Sequence, residues 1–219
     1  MKLRQNCHES VLNRNGCRST ARGSAIIRLI VKSKGEIFML IDKLSTDKTV
    51  AIYTNSEDTD LFLVGKILAV TDELTAISMV SPYGRYDGIR VLRSELIFEI
   101  EEESEYLKML QLLYSDASSS ADSNIFTSDS PYLDLLRHAL KEQKIISVEL
   151  LESGSYNAIG FVKEIDDDVV TIQVVDKYGR EDGIVHFSVD DITELQYNSE
   201  DEQRTNAYWQ LRRNGRQIQ

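Results

Sequence analysis

One segment of this chain occurs twice. Tyr-Gly-Arg-Tyr-Asp-Gly-Ile begins at Tyr83, and Tyr-Gly-Arg-Glu-Asp-Gly-Ile begins at Tyr178, which is 95 positions later. The same offset holds without a gap from residues 36–114 to residues 131–209. Identical pairs along it are Gly65/Gly160, Asp72/Asp167, Ile77/Ile172, Val80/Val175, Ile97/Ile192 and Glu99/Glu194. The chain is therefore expected to contain two units of one fold that arose by tandem duplication.

Each unit begins with apolar residues at helical spacing. Those of the first unit are Ile37, Leu40, Ile41 and Leu44, and those of the second are Tyr132, Leu135, Leu136, Ala139 and Leu140. In the second unit Ser130 suits the N-cap and Pro131 suits the first helical position. A C-terminal helical segment is expected in both units, after the acidic run Glu101–Glu105 in the first and from Asp201 to Arg213 in the second.

Between these helices the apolar period changes to two, which predicts five short strands in each unit. In the first unit they are Val50–Thr54, Leu63–Val70, Thr75–Ser81, Gly88–Leu92 and Ile97–Glu101. In the second they are Ile145–Leu151, Ala158–Ile165, Val169–Asp176, Gly183–Ser188 and Ile192–Gln196. Five short strands behind one helix bury both faces only by curling, so each unit is predicted to be a small five-stranded (Src-homology-like) barrel. Gly65 and Gly160 lie inside the second strand, where such a barrel bends sharply.

The regions outside the units differ from them in composition. Residues 1–35 form a basic tail that is expected to be partly disordered, with an Arg-rich transit segment and a basic binding arm as the open alternatives. Residues 115–130 are rich in Ser and Asp and predict a flexible linker, and residues 210–219 form a basic C-terminal tail. Cys7 and Cys17 both lie in the first tail, so neither unit depends on cysteine. This usage favours a reducing compartment, and the cytoplasm is the expected location.

The net charge of −11 is distributed unevenly along the chain. Residues 1–35 carry eight Lys or Arg and one Asp or Glu, whereas the units carry 7 against 15 and 7 against 17. The acidic units repel phosphate, so a protein partner or self-association is expected in preference to RNA. No apolar run reaches the roughly 20 residues that a membrane helix requires, so no membrane partner is expected.

The order of helix and five strands, with a glycine in strand two and an acidic turn after it, resembles the Sm-like (LSm) family. The resemblance rests on Gly160, Asp167, Val169–Val175 and the two last strands of the second unit, and on the matching positions of the first. It implies a small five-stranded barrel in each unit. It also implies an assembly habit in which strands four and five pair edge to edge into rings, and exposed strand edges favour such pairing.

The family's nucleotide pocket is not matched in this chain. The family reads uridine with an Asn at the turn before strand three, where this chain has Ala76 and Thr171. The family also places an Arg-Gly pair between the last two strands, where this chain has Ser94-Glu95 and Val189-Asp190. The resemblance therefore predicts the scaffold and the assembly habit but not the uridine site.

The duplicated loops are the best candidate sites for contact with a partner. Their candidate residues are Tyr83, Arg85 and Asp87 in the first unit and Tyr178, Arg180 and Asp182 in the second. A purely structural interpretation is a turn in which Asp-Gly supplies the position with positive φ and Tyr packs at the barrel rim. It does not account for Arg85 and Arg180, whose guanidinium groups are able to pair with the neighbouring Asp or to bind an acidic partner.

The favoured function is a non-enzymatic binding or assembly module that acts through barrel edges and these loops, without cofactor or metal. The first alternative is an RNA-binding Sm-like protein that uses its basic tails and loop arginines. The second is a hydrolase or nuclease with a carboxylate-based site. Asp166-Asp167-Asp168 is interpreted as a solvated turn, because three consecutive carboxylates point in different directions, and no catalytic spacing is visible among His8, His138 and His186.

Overall fold

The computed structural model describes residues 48–113, apart from 57 and 59, and residues 124–215. Several sequence predictions lie outside these ranges. They are the basic tail 1–35 with Cys7 and Cys17, the first helix of the first unit, most of the linker, and the end of the C-terminal tail. The remaining predictions fall on described residues.

The described residues form ten strands and three α-helices. The strands are β1 Thr49–Tyr53, β2 Leu63–Val70, β3 Leu74–Val80, β4 Tyr86–Arg93, β5 Glu99–Glu101, β6 Ile145–Leu150, β7 Ala158–Asp166, β8 Val169–Val175, β9 Glu181–Ser188 and β10 Ile192–Tyr197. The helices are α1 Glu105–Leu113, α2 Pro131–Glu142 and α3 Glu200–Arg213. The mainly β architecture with helices is thus confirmed, and all ten predicted strands are present. Because α3 ends at Arg213, the start of the predicted C-terminal tail is helical.

All ten strands belong to one antiparallel sheet in the order β5-β1-β2-β3-β4-β10-β6-β7-β8-β9. The sheet is not closed, and the structure does not show the two separate five-stranded barrels that the sequence predicted. The first unit does not close into a barrel because both edges of β4 are already paired. The first edge of β4 pairs with β3 and its second edge pairs with β10 of the other repeat, so that edge is not available for closing the first unit. The first half of the molecule consists of β1–β5 with α1, and the second half consists of β6–β10 with α2 and α3.

The two halves meet where β4 pairs with β10, and we call this contact the junction. The pairing is antiparallel, with Leu92 opposite Glu194 and Ile89 opposite Tyr197. β10 pairs on its other side with β6, so the hydrogen-bonded ladder continues into the second half. The two ends of the sheet are β5 and β9.

The largest hydrophobic core spans both halves. Helix α2 lies in it and contributes Tyr132, Leu135, Leu136 and Ala139, all buried. From the first half it takes buried side chains of β3 and β4, and from the second half those of β6, β7, β8, β9 and β10. The Tyr132 hydroxyl donates to the carbonyl oxygen of Thr193 at 2.6 Å and ties the helix to β10. The second half is therefore built around a core that the first half completes.

Helix α2 begins and ends where the sequence indicates. The Ser130 side chain accepts a hydrogen bond from Leu133 N at 3.4 Å, and Pro131 occupies the first helical turn. Gln143, with φ of 52°, takes the left-handed conformation that ends a helix. The predicted N-terminal helix of the second unit is confirmed.

The other two helices each pack on their own half of the sheet. Leu107 and Leu110 of α1 pack with buried residues of β1, β2 and β3. Trp209 of α3 packs against Phe161, with 4.6 Å between ring centroids. The equivalent helices of the repeat thus have equivalent positions on the sheet.

Gly65 and Gly160 lie inside β2 and β7, as predicted. A Cβ atom at Gly65 would collide with the carbonyl oxygen of Ser78, and one at Gly160 would collide with that of Gln173. The neighbouring strand therefore approaches too closely for any side chain, and a β-bulge follows in both strands.

Candidate functional site

The duplicated loops form two hairpin turns with the same geometry. In the first, between β3 and β4, Ser81 N donates to Arg85 O at 2.8 Å and Gly84 N donates to Ser81 O at 2.9 Å. In the second, between β8 and β9, the same bonds join Asp176 with Arg180 and Gly179 with Asp176, at 2.8 and 2.9 Å. The repeat is therefore retained in backbone detail as well as in sequence.

The position of the Asp-Gly pair corrects the structural interpretation made from sequence. As expected, the glycine of Asp-Gly has positive φ, 82° at Gly88 and 85° at Gly183, but it lies inside β4 or β9 and not in the turn. The turn itself has its positive φ at Gly84 (68°) or Gly179 (75°). Tyr83 does not pack at a rim, because its side chain is 75% exposed. Asp-Gly is therefore a feature of the strand that follows the turn.

The first loop touches the start of helix α3. Asp87 is buried, and its Oδ1 accepts a hydrogen bond from the backbone N of Glu200 at 2.9 Å. Gly88 lies against the same segment, where a Cβ would collide with the carbonyl oxygen of Tyr197 and crowd Ser199 N. Arg85 is exposed. Of the first three candidates, Asp87 alone lies in the junction.

The second loop touches the other end of the same helix. Gly179 lies against the backbone of Trp209, and Arg212 Nε donates to Tyr178 O at 2.6 Å. Arg180 pairs with Asp176, with 2.7 Å between Nε and Oδ2. Burial alone raises the pKa of the Asp176 carboxyl, but hydrogen bonds from Arg180 and Tyr178 outweigh it and hold that pKa below its usual value. Tyr178 and Asp182 remain exposed.

The six predicted site residues are thus not brought into one site. Glu200 and Trp209 lie nine positions apart on α3, a distance of about 14 Å along a helix axis. Helix α3 thus connects the two loops, with one loop near each of its ends. Each loop precedes a strand that lies at an edge of its own half, so the loops mark the edges and do not enclose a pocket.

A buried polar network at the junction was missed by sequence reasoning. Arg90 of β4 forms an ion pair with Glu194 of β10, with 3.2 Å between Nη1 and Oε1, and its Nη2 donates to Gln196 at 3.3 Å. The Tyr156 hydroxyl donates to Glu194 at 2.6 Å and also contacts the side-chain oxygen of Gln196. These contacts hold the two halves in register. Alternation alone places Arg90 on a solvated face, and no sequence signal identifies its partner.

Glu202 of α3 extends this network. Ser147 Oγ donates to Glu202 Oε1 at 2.5 Å, and Ser199 N donates to Oε2 at 2.7 Å. Burial raises the pKa of the Glu202 carboxyl, although both hydrogen bonds and the charge of Arg90 oppose the shift. The start of α3 is thus anchored to β6 as well as to Asp87.

One face of β3 and β4, here called the outer face, is buried, whereas the equivalent face in the second half is largely exposed. In the first half it consists of Leu74, Ala76, Ile89 and Val91, all buried in the shared core. The equivalent residues of β8 and β9 are Val169, Thr171, Ile184 and His186. Val169 is 47% exposed and Ile184 is 57% exposed, and His186 is exposed with its Nδ1 3.0 Å from the Thr171 hydroxyl. The same surface is therefore covered at the junction and uncovered at β9.

A sequence signal for this difference does exist. On this face Ala76 and Val91 of the first half are replaced by the polar residues Thr171 and His186 in the second. Apolar residues at these positions indicate a covered face, and polar residues indicate a solvated one.

One groove lies between the halves, with a volume of about 800 Å³, and its lining includes Tyr132, Arg93 and the β2–β3 turn. Arg93 donates to the carbonyl oxygens of Ile192 and Asp190 at 3.1 and 2.7 Å. The lining carboxylates Asp72, Glu73, Glu95, Asp129 and Asp190 are all exposed.

Within residues 48–113 and 124–215, no group of three or more His, Cys, Asp or Glu side chains is arranged to hold a metal ion. Asp166, Asp167 and Asp168 are exposed in the β7–β8 turn.

Comparisons with family models, with curated proteins and with solved structures give no match to this chain. Among the described residues, no helix combines the length and the apolar character needed to span a membrane.

Proposed function

We propose that this protein is a non-enzymatic assembly module that joins copies of itself end to end through the edges of its sheet. The observation that carries the proposal is the junction. Inside the chain, a fourth strand (β4) pairs with a fifth strand (β10) of the other repeat. The sheet ends in the complementary pair, a fourth strand (β9) and a fifth strand (β5), and neither end has a further strand partner among the described residues.

The uncovered surface at β9 supports the same proposal. Ile89 is fully buried at the junction, while its copy Ile184 is 57% exposed. Val169 adds a second exposed apolar side chain on the neighbouring strand. A second copy that presents β5 to β9 would cover this surface as β10 covers β4. Apolar side chains on an exposed strand edge favour such strand addition.

We also propose that each half of the chain is a module of the Sm-like type. The strand order within each half is fifth, first, second, third, fourth, with a glycine in the second strand. This order and the junction agree with the Sm-like module to which the sequence is similar. Two such modules in one chain would supply one pairing internally and leave one pairing to be made between chains.

The test is the mass of the full chain in solution. A single chain has a mass of 24.9 kDa. Multi-angle light scattering between about 1 and 100 µM is expected to give multiples of this mass, because strand addition with apolar burial reaches micromolar affinity. Ile184→Asp places a charge on the uncovered face and is expected to give the single-chain mass throughout.

Leu151→Asp is the matched control, because Leu151 is 72% exposed but lies in the β6–β7 turn, away from both sheet ends. This variant is expected to associate as the wild type does. A wild type that has the single-chain mass at 100 µM would overturn the proposal. So would an Ile184→Asp variant whose mass equals that of the wild type.

A further inference from the structure

We infer that the loop before β9 receives the start of helix α1 of a second copy, with Asp182 as the acceptor for the helix and Lys177 and Arg180 as the charges that attract it. The inference rests on the proposed function, because it assigns residues to the end-to-end contact. Inside the chain the same arrangement is already occupied, at the contact between the first loop and α3.

The occupied copy is the contact between the first loop and helix α3. Asp87 is 4% exposed and accepts the hydrogen bond from Glu200 N at 2.9 Å. The backbone N–H groups at a helix start have no partner within the helix, so a carboxylate there stabilises the helix. Gly88 permits the close approach, since a Cβ would collide with Tyr197 O. Asp-Gly thus forms a seat for the start of a helix.

The second Asp-Gly pair has the same backbone and an open surface. Gly183 has φ of 85° against 82° for Gly88, and a Cβ at Gly183 would meet nothing within 4 Å. Asp182 is exposed, whereas Asp87 is buried. The seat is therefore present at β9, and in the described residues no helix start occupies it.

The start of α1 has the conformation that fits this seat. Glu103, just before α1, has φ of 58°, and its repeat equivalent Asn198, just before α3, has φ of 57°. The chain thus turns from strand to helix in the same way in both halves. In the register of the junction, Asp87 meets Glu200, so Asp182 of one copy meets Glu105 of the next.

The acidic start of α1 and two cations of the second loop carry opposite charges. Glu102, Glu103 and Glu105 lie at the start of α1, and Lys48 is the cation that the described structure places against two of them, at 3.9 and 3.1 Å. Lys177 and Arg180 are exposed beside the second seat, with their charged groups 5.2 and 5.5 Å from the centre of the Tyr178 ring. The first loop has Pro82 where the second has Lys177. The second loop also has Asp176 and Glu181 where the first has Ser81 and Tyr86, and Arg180 pairs with Asp176, so the attraction acts locally through Lys177 and Arg180 and not through the net charge of the loop.

The first experiment measures the dissociation constant of the end-to-end contact by sedimentation equilibrium. Asp182→Ala is expected to raise it about tenfold, the usual effect of removing a carboxylate from a helix start. Asp168→Ala, which removes an exposed carboxylate at the other end of β8 and β9, is the matched control and is expected to leave it unchanged. Raising the salt from about 50 to 300 mM is expected to weaken the wild-type contact, because exposed charges are screened over that range.

The second experiment exchanges the charges. Variant one carries Lys177→Glu and Arg180→Glu, and variant two carries Glu102→Lys and Glu105→Lys. Each alone is expected to have the single-chain mass, because like charges meet, and an equimolar mixture is expected to associate. Thermal unfolding of each variant separates a weakened contact from a weakened fold.

The outcomes separate this inference from the proposed function. A wild type with the single-chain mass overturns both. A wild type that associates, is disrupted by Ile184→Asp and is unaffected by Asp182→Ala and by both charge variants overturns the inference alone. Pairing of the strand edges would then act without the helix seat.

Discussion

Arg90 of the first half and Glu194 of the second form an ion pair of 3.2 Å, with only 5% and 16% of their side chains exposed. The pair lies 104 positions apart in sequence and crosses the pairing of β4 with β10. Because both charges are withdrawn from water, a register that separated the two side chains would leave each charge buried without its partner. It therefore makes the register of the junction specific.

Removal of Arg90 is expected to destabilise the whole protein. Arg90→Met leaves the Glu194 carboxylate without its cation and is expected to lower the free energy of unfolding by about 3 kcal/mol, measured by urea denaturation. The double variant Arg90→Met/Glu194→Gln removes both charges and is expected to recover part of this loss. Arg180→Met breaks an ion pair in which Arg180 is 62% exposed, so a loss below about 1 kcal/mol is expected there. Equal losses for Arg90→Met and Arg180→Met would contradict this account.

Glu202 is expected to make stability depend on pH. Its pKa is raised in the folded protein by burial, so the folded state holds this proton more tightly than the unfolded state. Its contribution to stability is therefore fully present below the unfolded pKa of about 4.5 and is lost as pH rises through the folded pKa. In Glu202→Gln this loss is absent. The free energy of unfolding of the variant, relative to that of the wild type, should therefore increase as pH increases.

Urea denaturation between about pH 4 and pH 8 measures this difference. One proton contributes at most about 1.4 kcal/mol per pH unit. Glu200→Gln, at an exposed position of the same helix, serves as the control and should run parallel to the wild type. Parallel curves for Glu202→Gln as well would show that Glu202 does not titrate differently in the two states.

Strand positions were predictable because they depend on local pattern. The alternation of apolar residues located all ten strands, and the glycines expected inside the second strands lie in β2 and β7, each followed by a β-bulge. The merging of the halves into one sheet was not predictable in this way, because it depends on the pairing of Ile89 with Tyr197, which no local pattern specifies. Asp87 was identified as a candidate, but its partner is the backbone N of Glu200, which carries no sequence signal.

Gly160→Ala is expected to distort the pairing of β7 with β8. The added Cβ would collide with the backbone carbonyl oxygen of Gln173, which cannot move without shifting β8. A loss of about 2–3 kcal/mol in the free energy of unfolding is expected, as for other overpacked sites. Gly154→Ala separates this collision from backbone strain, since Gly154 has φ of 73° but nothing within 4 Å of the added atom. A loss for Gly154→Ala of about 1 kcal/mol is expected, and a larger loss there than at Gly160 would refute the collision.

Asp134 is expected to hold the segment before α2 against the shared core. Its Oδ2 accepts hydrogen bonds from Thr127 N and Ser128 N at 2.7 and 2.8 Å, and Ile125 and Phe126 immediately before them pack on that core. Asp134→Ala leaves these N–H groups without their acceptor, which costs about 1–3 kcal/mol. Amide hydrogen exchange at Thr127 and Ser128 should accelerate at least tenfold, while exchange in β6 and β7 changes only with global stability. Asp129→Ala removes an exposed carboxylate nearby and should leave these amides protected. If Thr127 and Ser128 exchange at the same rate with and without the Asp134 carboxylate, the apolar contacts of Ile125 and Phe126 alone hold the segment in place.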